Sequence, residues 1–354
     1  MEAAELRGYV DIALQSHVQG WAVNGVEPTE VIVLINDAHL ATVKPTIPRP
    51  DLVAHGLPEV SGFTFNFPKP LTIDDTVSVL FPDGTHLEGS PCIGHKERLR
   101  RLLHDIDLSS ETGLELGPLD RPILAKSMGN IKYVDHASRE DLIQKYLSTG
   151  SVETINPDLI VQVDIVWPGG SLQERIGSNE KFDFCLSSHV IEHVPDMIGW
   201  LKEIGSILKL GGLCNMAIPD KERTFDHRRQ NTGTAQLIGN HLRRLNRPCA
   251  EQIFDHVAYT DPMMSNAPIR ESGALELAKR AELESQYYDV HCQVFTQESF
   301  LKTFNSLAKM NLIDFRLNKF FETMPNANEF IVSLEKTDCS AEEKAETFLI
   351  QLPD

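Results

Sequence analysis

FDFCLSSHVIEHV, at residues 182–194, combines an apolar strand sequence with a polar loop. A helical pattern follows over 195–208, then the turn LKLGG at 208–212 and a second strand sequence, LCNMAI, at 213–218. Two parallel strands need a crossover connection of this kind, because the helix returns the chain to the same edge of the sheet. The stretch therefore predicts a βαβ unit and an α/β fold.

The same alternation extends along the second half of the chain. It predicts seven strands, at 113–116, 131–135, 160–164, 182–187, 213–218, 314–320 and 328–335. It predicts helices near 121–128, 139–148, 195–208, 232–244, 270–285 and 297–308. The last two strands are consecutive, which favours a hairpin and an antiparallel edge strand on a doubly wound, Rossmann-like sheet.

Residues 1–92 follow a different pattern, with short strands between turn residues and no helical period. This pattern predicts a small all-β sandwich. A short basic amphipathic helix, KERLRRLLHDI, follows at 96–106. We therefore predict an accessory sandwich over 1–92, a helical linker over 93–108, the α/β domain over 109–338 and a C-terminal tail over 339–354.

Composition and charge exclude several classes of protein. The 354 residues carry a net charge of -18, which disfavours nucleic acid as a partner. No apolar run is long enough to span a bilayer, and the N-terminus lacks the apolar core of a secretion signal. The six cysteines are scattered singly without a C-x-x-C motif, which predicts reduced thiols and a cytoplasmic protein.

Polar residues follow the predicted strands at the edge where open α/β sheets bind ligands. Gly117 follows the first strand, Asp135 and Asp164 end the second and third, and the fourth leads into Ser188 and His189. A carboxylate after the second strand can accept both hydroxyls of a ribose, and a glycine lets a ligand approach the backbone. Each residue alone could be a turn or a helix cap, but together they favour a nucleoside site.

The motif order over 182–220 resembles that of class I S-adenosylmethionine-dependent methyltransferases, and the resemblance extends over 110–336. It is most specific to a bacterial subgroup associated with glycan pathways, through the motifs ELGPLDRP, YVD, HVIEHV and PDKERTFDHRR. The resemblance implies S-adenosylmethionine as the cofactor. By position, it implies that the methionine part contacts Glu115 and Gly117, the ribose Asp135, the adenine Asp164 and Ile165, and the sulfonium region Ser188 and His189.

The glycine-rich loop departs from the usual family pattern. Of the G-x-G-x-G motif only Gly117 is present, in the sequence GPLDRP at 117–122. A sulfonium cofactor without phosphates needs fewer backbone donors than a dinucleotide, so the loss argues against NAD. A nicotinamide-dependent sugar enzyme and a methyltransferase fold that has become a non-catalytic binding module are the alternatives.

His189, Glu192 and His193 also match the H-x-x-E-H pattern of inverted zinc proteases. That motif belongs in a helix, whereas here a strand precedes it and a proline follows closely. We therefore predict a strand-to-helix loop without a metal, in which His193 can equally be a core histidine. A divalent ion at Asp220 or Asp226 is left open, because no spacing requires one.

The stretch 220–247 is locally basic within an acidic protein, which favours a substrate lid for an anionic sugar. A solvated face with internal ion pairs is the alternative. Methyl transfer to a sugar hydroxyl also needs a base. The candidate bases are His189, Asp220 and His227, with Asp226, His256 and His291 as further candidates. The predicted substrate contacts are Lys221, Arg223, Arg228, His256 and His291.

The N-terminal half resembles sandwich modules fused to bacterial glycan-modifying enzymes. Its Trp21 and Phe63 could stack on a sugar ring, although core positions are expected for aromatic residues in a small sandwich. Docking to a protein, dimerisation and carbohydrate capture stay open as its role. The whole sequence therefore predicts a methyltransferase that acts on an oxygen of a sugar or glycan, in surface-polysaccharide or glycoside biosynthesis.

Overall fold

The computed structural model describes residues 5–351 apart from 16, 54, 70, 73, 93, 150–154, 178–179 and 262–270. The chain forms two compact units, Met1–Arg101 and Leu102–Asp354. Each unit has its own buried apolar cluster. No helix in the described part of the chain is long and apolar enough to cross a membrane.

The first unit is built mainly of β-strands. Its elements are β1 (Leu6–Ala13), β2 (His17–Asn24), β3 (Glu27–Pro28), β4 (Val31–Ile35), β5 (Ala38–Val43), β6 (Ile47–Pro48), α1 (Pro50–Val53), β7 (Val60–Asn66), β8 (Val77–Leu80) and, at its end, α2 (Gly94–Leu102). One sheet has the order β1-β2-β7-β6, with β3 also paired to β2, and the other has the order β5-β4-β8. All the strand pairs in these two sheets are antiparallel.

Side chains from the two sheets share one buried cluster. Val18 and Phe63 contribute from the first sheet, and Val33 and Val79 from the second. Alternate residues of a strand point to the same face, so the apolar positions of each sheet can meet in one layer. Phe63 is a core residue at 1% exposure, whereas Trp21 is half-buried at the border of a smaller cluster.

The second unit alternates strands and helices. Its elements are β9 (Thr112–Leu116), β10 (Asn130–Asp135), α3 (Arg139–Thr149), β11 (Ile165–Val166), α4 (Leu172–Ile176), β12 (Phe182–Ser188), α5 (Met197–Ile207), β13 (Leu208–Pro219), α6 (Thr234–Arg243), α7 (Ala250–Tyr259), α8 (Glu271–Leu283), α9 (Gln297–Lys309), β14 (Phe315–Phe321), β15 (Glu329–Lys336) and α10 (Ala341–Leu349). Short 3-10 turns cover Pro157–Leu159, Ile191–His193 and Lys221–Arg223.

The sheet of this unit has seven strands in the order β11-β10-β9-β12-β13-β15-β14. The strands from β11 to β13 are parallel, and β15 is antiparallel to both of its neighbours. The predicted α/β fold with a seven-stranded mixed sheet is therefore confirmed. Strand order reverses between β9 and β12, and the carboxyl ends of these strands border the crevice where such sheets bind ligands.

Local sequence explains the βαβ unit that decides this fold. Asp196 caps α5, because its Oδ1 accepts a hydrogen bond from the Gly199 N–H at 2.9 Å. Leu201 and Ile204 lie on the apolar stripe of α5 and are fully buried in the main cluster. The helix therefore packs through one face while it connects β12 to β13.

The antiparallel strand was predicted at the sheet edge, and this was wrong. β15 lies between β13 and β14, and β14 forms the edge. The first six residues of β15 are all buried, including Phe330 and Val332. A strand with both faces buried fits the interior of a sheet better than its rim.

The third strand and the first helix also differ from the prediction. β11 covers Ile165–Val166 instead of 160–164, because Ile160 and Val163 pack with Leu142 of α3 in a separate small cluster. Turns replace the helix predicted near 121–128. The Glu115 carboxylate accepts hydrogen bonds from the backbone N–H groups of Ile123 and Leu124 in that segment. These hydrogen bonds fix a looped conformation.

Three helices of this unit were not predicted, namely α4, α7 and α10. The last lies in the segment predicted as a tail and packs on α9. Asn305 of α9 donates its side-chain N–H to the carbonyl of Ala345 at 2.7 Å, and Phe348 is fully buried. The helical part of this segment, Ala341–Leu349, therefore belongs to the folded unit.

Candidate active site

The loop after β9 contains the single glycine of the predicted cofactor motif. Gly117 has φ +63°, and its N–H donates to the Val134 carbonyl at 2.8 Å. A Cβ at this position would lie 2.8 Å from Cγ2 of Val190, which follows β12. Conformation and close approach therefore both require glycine here.

Glu115 holds this loop from within the sheet. It is 1% exposed, its Oε1 accepts the Ile123 N–H at 2.5 Å, and its Oε2 accepts the Leu124 N–H at 3.1 Å. Hydrogen bonds from backbone N–H groups to a charged acceptor are among the stronger ones in proteins. Glu115, predicted to contact the methionine part of a cofactor, thus also shapes the loop around Gly117.

Asp135 lies at the carboxyl end of β10 with a nearly buried side chain. Its Oδ1 accepts the His136 N–H at 2.7 Å and lies 2.7 Å from Nδ1 of the same histidine. In the described part of the chain, every hydrogen bond and ion pair of this carboxylate uses Oδ1. Its second oxygen is therefore available to accept a ligand hydroxyl.

Asp164 precedes β11 rather than ending the third strand. Its Oδ1 and Oδ2 lie 2.5 and 2.6 Å from Nζ of Lys126, and its Oδ2 accepts the Tyr133 N–H at 2.7 Å. Ile165 pairs with Val134 at the start of β11. The carboxylate of Asp164 is engaged in joining β10 to this segment, and its contact with adenine stays a prediction.

His189 follows Ser188 at the end of β12 in the left-handed region, with φ +54°. Its Nε2 lies 2.8 Å from Oε2 of Glu329, and its Nδ1 lies 3.5 Å from Oε1 of Glu192. About one third of its side chain is exposed. Two nearly buried carboxylates therefore flank a histidine that ligands can reach.

The residues of the H-x-x-E-H pattern form a loop with one 3-10 turn at Ile191–His193, and no α-helix. The turn packs on the segment before α9, because the Glu192 carbonyl accepts the N–H groups of Cys292 and Gln293 at 2.6 and 3.2 Å. The loop after β12 and residues 289–295 thus pack directly against each other.

Asp226 forms a close ion pair with His291, which belongs to the segment 289–295. Asp226 Oδ2 lies 2.5 Å from His291 Nδ1, and Arg229 donates to Asp226 Oδ1 at 2.7 Å. Burial favours the neutral acid, but these two partners lower the pKa of Asp226 to about 2. Asp226 is therefore a carboxylate at neutral pH.

His256 also contacts this pair, through the backbone of His291. Its Nδ1 accepts the backbone N–H of His291 at 3.2 Å. Burial, together with the Arg229 charge, lowers the pKa of His256 to about 3. His256 is therefore a neutral acceptor that fixes the position of residue 291.

Asp220 caps the turn after β13. Its Oδ1 accepts the Glu222 N–H at 3.2 Å, and its Oδ2 accepts hydrogen bonds from Gln297 and Thr323. The side chain is buried, with 1% of the residue exposed. These contacts give Asp220 a capping role, whereas a general base needs a free lone pair beside the substrate.

The basic stretch after β13 is partly paired within itself. Lys221 donates from Nζ to the His227 carbonyl at 3.0 Å, and Arg228 and His227 both face Oδ2 of Asp261, at 3.0 and 3.3 Å. Arg223 is exposed. The ion pair of Arg228 with Asp261 matches the alternative to a substrate lid for this side chain.

Sequence reasoning missed the acidic partners of the histidines. Glu329 is 140 residues from His189, and Asp226 is 65 residues from His291. Glu329 opens β15, so its position follows only from the strand order. The one local sequence signal for an acidic residue near these histidines was Asp289. It lies two residues before His291, and alternate residues of an extended segment share a face.

Comparison with known proteins assigns the chain to a protein family. A model described as a methyltransferase domain matches residues 96–306. No curated protein matches the chain.

Several solved structures match about two thirds of the chain at low sequence identity. One is described as a zinc-dependent alcohol dehydrogenase from Rhodobacter sphaeroides, with 13% identity, 68% of this chain and 89% of that chain covered, and a TM-score of 0.40. Another is described as an S-adenosylmethionine-dependent methyltransferase from Listeria monocytogenes. It has 14% identity, with 68% of this chain and 97% of that chain covered, and a TM-score of 0.36. A third is the CcbJ methyltransferase from Streptomyces caelestis. It has 10% identity, with 68% of this chain and 89% of that chain covered, and a TM-score of 0.36. Because the family model spans more than half of the sequence, this chain belongs to the methyltransferase domain family, and the prediction that it is a methyltransferase is confirmed.

Proposed function

We propose that the protein transfers the methyl group of S-adenosylmethionine to a hydroxyl oxygen of a sugar or glycan acceptor. The observation that carries the proposal is His189, which two carboxylates flank at the end of β12. The neighbouring Val190 touches the Gly117 position of the cofactor loop. A candidate base thus lies directly beside the segment expected to hold the methyl donor. The sugar acceptor is supported by the sequence motifs alone.

The residues present fit S-adenosylmethionine. Asp135 has one carboxylate oxygen available for the ribose hydroxyls, and Gly117 lets a ligand approach the backbone. The buried carboxylates of Glu115 and Asp120 add negative charge near the same loop, which favours a cationic ligand over a dinucleotide phosphate. When bound, the cofactor supplies an electrophilic methyl group on its sulfonium.

The chain's own residues would position the acceptor and take up its proton. Glu329 accepts from Nε2 of His189, which leaves the lone pair on Nδ1 and fixes the ring. As the acceptor hydroxyl attacks, Nδ1 would take its proton, and the Glu329 carboxylate would stabilise the imidazolium. Alignment of the hydroxyl with the methyl group supplies the remainder of the rate enhancement.

The first test is calorimetric titration of the full chain with S-adenosylmethionine and S-adenosylhomocysteine, with NADH as the control ligand. We expect the two sulfur nucleosides to bind and NADH not to bind. Asp135→Asn should weaken this binding by about tenfold or more, because a charged hydrogen bond to the ribose is lost. Asp158→Asn, an exposed carboxylate in the turn before β11, is the matched control. Undiminished affinity in Asp135→Asn would refute the assignment of the ribose site.

The second step measures transfer of labelled methyl groups to sugar nucleotides and glycans. His189→Asn should lower the transfer rate at saturating cofactor by roughly 10²- to 10⁴-fold, and calorimetry measures its effect on cofactor binding separately. Asparagine is chosen because it tolerates the left-handed backbone at this position. A larger loss in His227→Asn would show that His227 is the base, and transfer to amines alone would contradict the hydroxyl acceptor.

A further inference from the structure

Glu192, His193 and His291 place three ligand atoms within 4.8 Å of one another. We propose that these residues bind one divalent transition-metal ion of the zinc type. Their set differs from the H-x-x-E-H pattern, because His291 comes from the segment before α9. It also differs from a site at Asp220 or Asp226.

The carboxylate of Glu192 is the first indication of a cation. The residue is 3% exposed, and neither carboxylate oxygen has a hydrogen-bond partner among the described residues. The one ion pair it makes there is with Nδ1 of His189, at 3.5 Å from Oε1. A buried carboxylate without hydrogen bonds is unfavourable unless a cation compensates it.

The two histidines carry a second, independent indication. His193 Nδ1 lies 2.9 Å from Oδ1 of Asp289, and His291 Nδ1 lies 2.5 Å from Oδ2 of Asp226. This leaves Nε2 of His291 as its nitrogen for a ligand, whereas His193 makes only an ion-pair contact with Asp289, and its buried Nδ1 has no hydrogen-bond partner among the described residues. Metal-binding histidines almost always have a carboxylate, carbonyl or water on the other nitrogen, which fixes the tautomer and the ring orientation.

The geometry suits a transition metal. The two imidazole rings meet edge to face with centroids 4.8 Å apart. Tetrahedral ligands at about 2.0–2.1 Å from zinc lie about 3.3–3.4 Å from one another, so a small side-chain movement would close the site. Two imidazoles and one carboxylate suit zinc or iron, whereas magnesium and calcium prefer oxygen ligands.

A fourth ligand has space beside Glu192. Glu192 and Gln293 line a small cavity together with Lys221, Asp226 and the end of β13. Gln293 Oε1 also has no hydrogen-bond partner among the described residues. A water or an acceptor oxygen could complete the coordination there. That the ion orients the acceptor hydroxyl rests on the proposed function, but the binding of the ion does not.

The test uses the full chain, treated with a chelator and dialysed, without cofactor or acceptor. Titration with Co²⁺ followed by visible absorption, and with Zn²⁺ by calorimetry, should show one tight site per chain. Glu192→Gln and His193→Gln should abolish this site. Asp289→Asn, which removes the carboxylate beside His193 together with its ion pair to Lys145, should weaken it by about 10- to 100-fold. Circular dichroism and thermal unfolding establish that each variant is folded.

His241→Gln is the matched control, because this histidine is also held by a carboxylate, at 3.0 Å from Asp196, but lies outside the cluster. It should bind the metal as the unaltered protein does. Equal affinities in the unaltered protein and Glu192→Gln, or no binding of Co²⁺ and Zn²⁺ at millimolar concentration, would overturn the proposal. Tight Co²⁺ binding without any methyl transfer would support the metal site while refuting the proposed function.

Discussion

Gly117 meets two constraints that substitution can separate. Gly117→Ala places a side chain at φ +63° and brings its Cβ within 2.8 Å of Val190. The left-handed backbone costs about 1–2 kcal/mol for a residue with a Cβ, and overpacking adds about 1–3 kcal/mol. We expect the free energy of unfolding, measured by denaturant titration, to fall by about 2–4 kcal/mol.

The control for this substitution is Gly211→Ala. Gly211 has φ +82°, and among the described residues no atom beyond its chain neighbours lies within 4 Å of the position of its Cβ, so it reports the backbone cost alone. Adding Val190→Ala to Gly117→Ala should recover part of the difference between the two. If Gly117→Ala and Gly211→Ala lower the free energy of unfolding equally, the contact with Val190 does not destabilise the Gly117→Ala variant.

Individual site residues could be predicted where a strand end marks them. Asp135 ends β10 and His189 follows β12, where the sequence pattern placed them. Asp164 was placed at the end of a strand, but it lies before one, because the apolar residues upstream pack in a cluster instead. The partner Glu329 could not be predicted, since its approach to His189 depends on contacts 140 residues apart.

At the scale of elements, α10 contributes Phe348 to the core, whereas its neighbour Leu349 faces outward. Phe348 is fully buried, with its ring centroid 5.8 Å from that of Phe304, whereas Leu349 is 44% exposed. Phe348→Ala should therefore lower the free energy of unfolding by about 3–5 kcal/mol. Leu349→Ala should change it by less than about 0.5 kcal/mol. Similar effects of the two substitutions in denaturant titrations would contradict the packing of α10 on α9.

Long apolar elements could be predicted from sequence, and short or weakly apolar ones could not. β12, α5 and α9 have clear periodic patterns, but β11 has only two residues. A usable signal for α10 was overlooked. Ser340 and Glu343 form a capping box, in which the Ser340 N–H donates to the Glu343 carboxylate at 2.9 Å and Ser340 Oγ accepts the Glu343 N–H at 3.2 Å.

At the scale of the whole molecule, the six thiols differ sharply in accessibility. Cys339 is partly exposed, and the other five are buried. Burial raises the pKa of Cys92 to about 11, and a hydrogen bond with Cys214 together with burial raises that of Cys185. The thiolate is the reactive form, so these groups should react slowly.

A thiol reagent at about pH 8 should therefore modify one group rapidly in the native protein, and six in denaturant. Cys339→Ser should remove the rapid reaction, while Cys92→Ser should leave it unchanged. Two or more rapid equivalents in the native protein would show that the buried thiols become accessible through local opening.

The general architecture could be predicted, but strand order could not. Alternating strands and helices indicate a parallel sheet, and two consecutive strands indicate a hairpin. Nothing local specifies where the hairpin joins. The residues that pair β13 with β15, from Leu213 with Glu335 to Pro219 with Glu329, are more than 100 positions apart. Their pairing depends on packing in the complete unit.

The internal position of β15 has a consequence for synthesis of the chain. During translation the ribosome releases β13 long before β15, so the strand that completes the sheet arrives late. Until then, the side of β13 opposite β12 exposes unpaired backbone groups next to apolar side chains, and such edges recruit strands of other molecules. The yield of native protein from the ribosome should thus depend on how quickly the last two strands follow α9, and chaperones that shield nascent sheet edges should act in this interval.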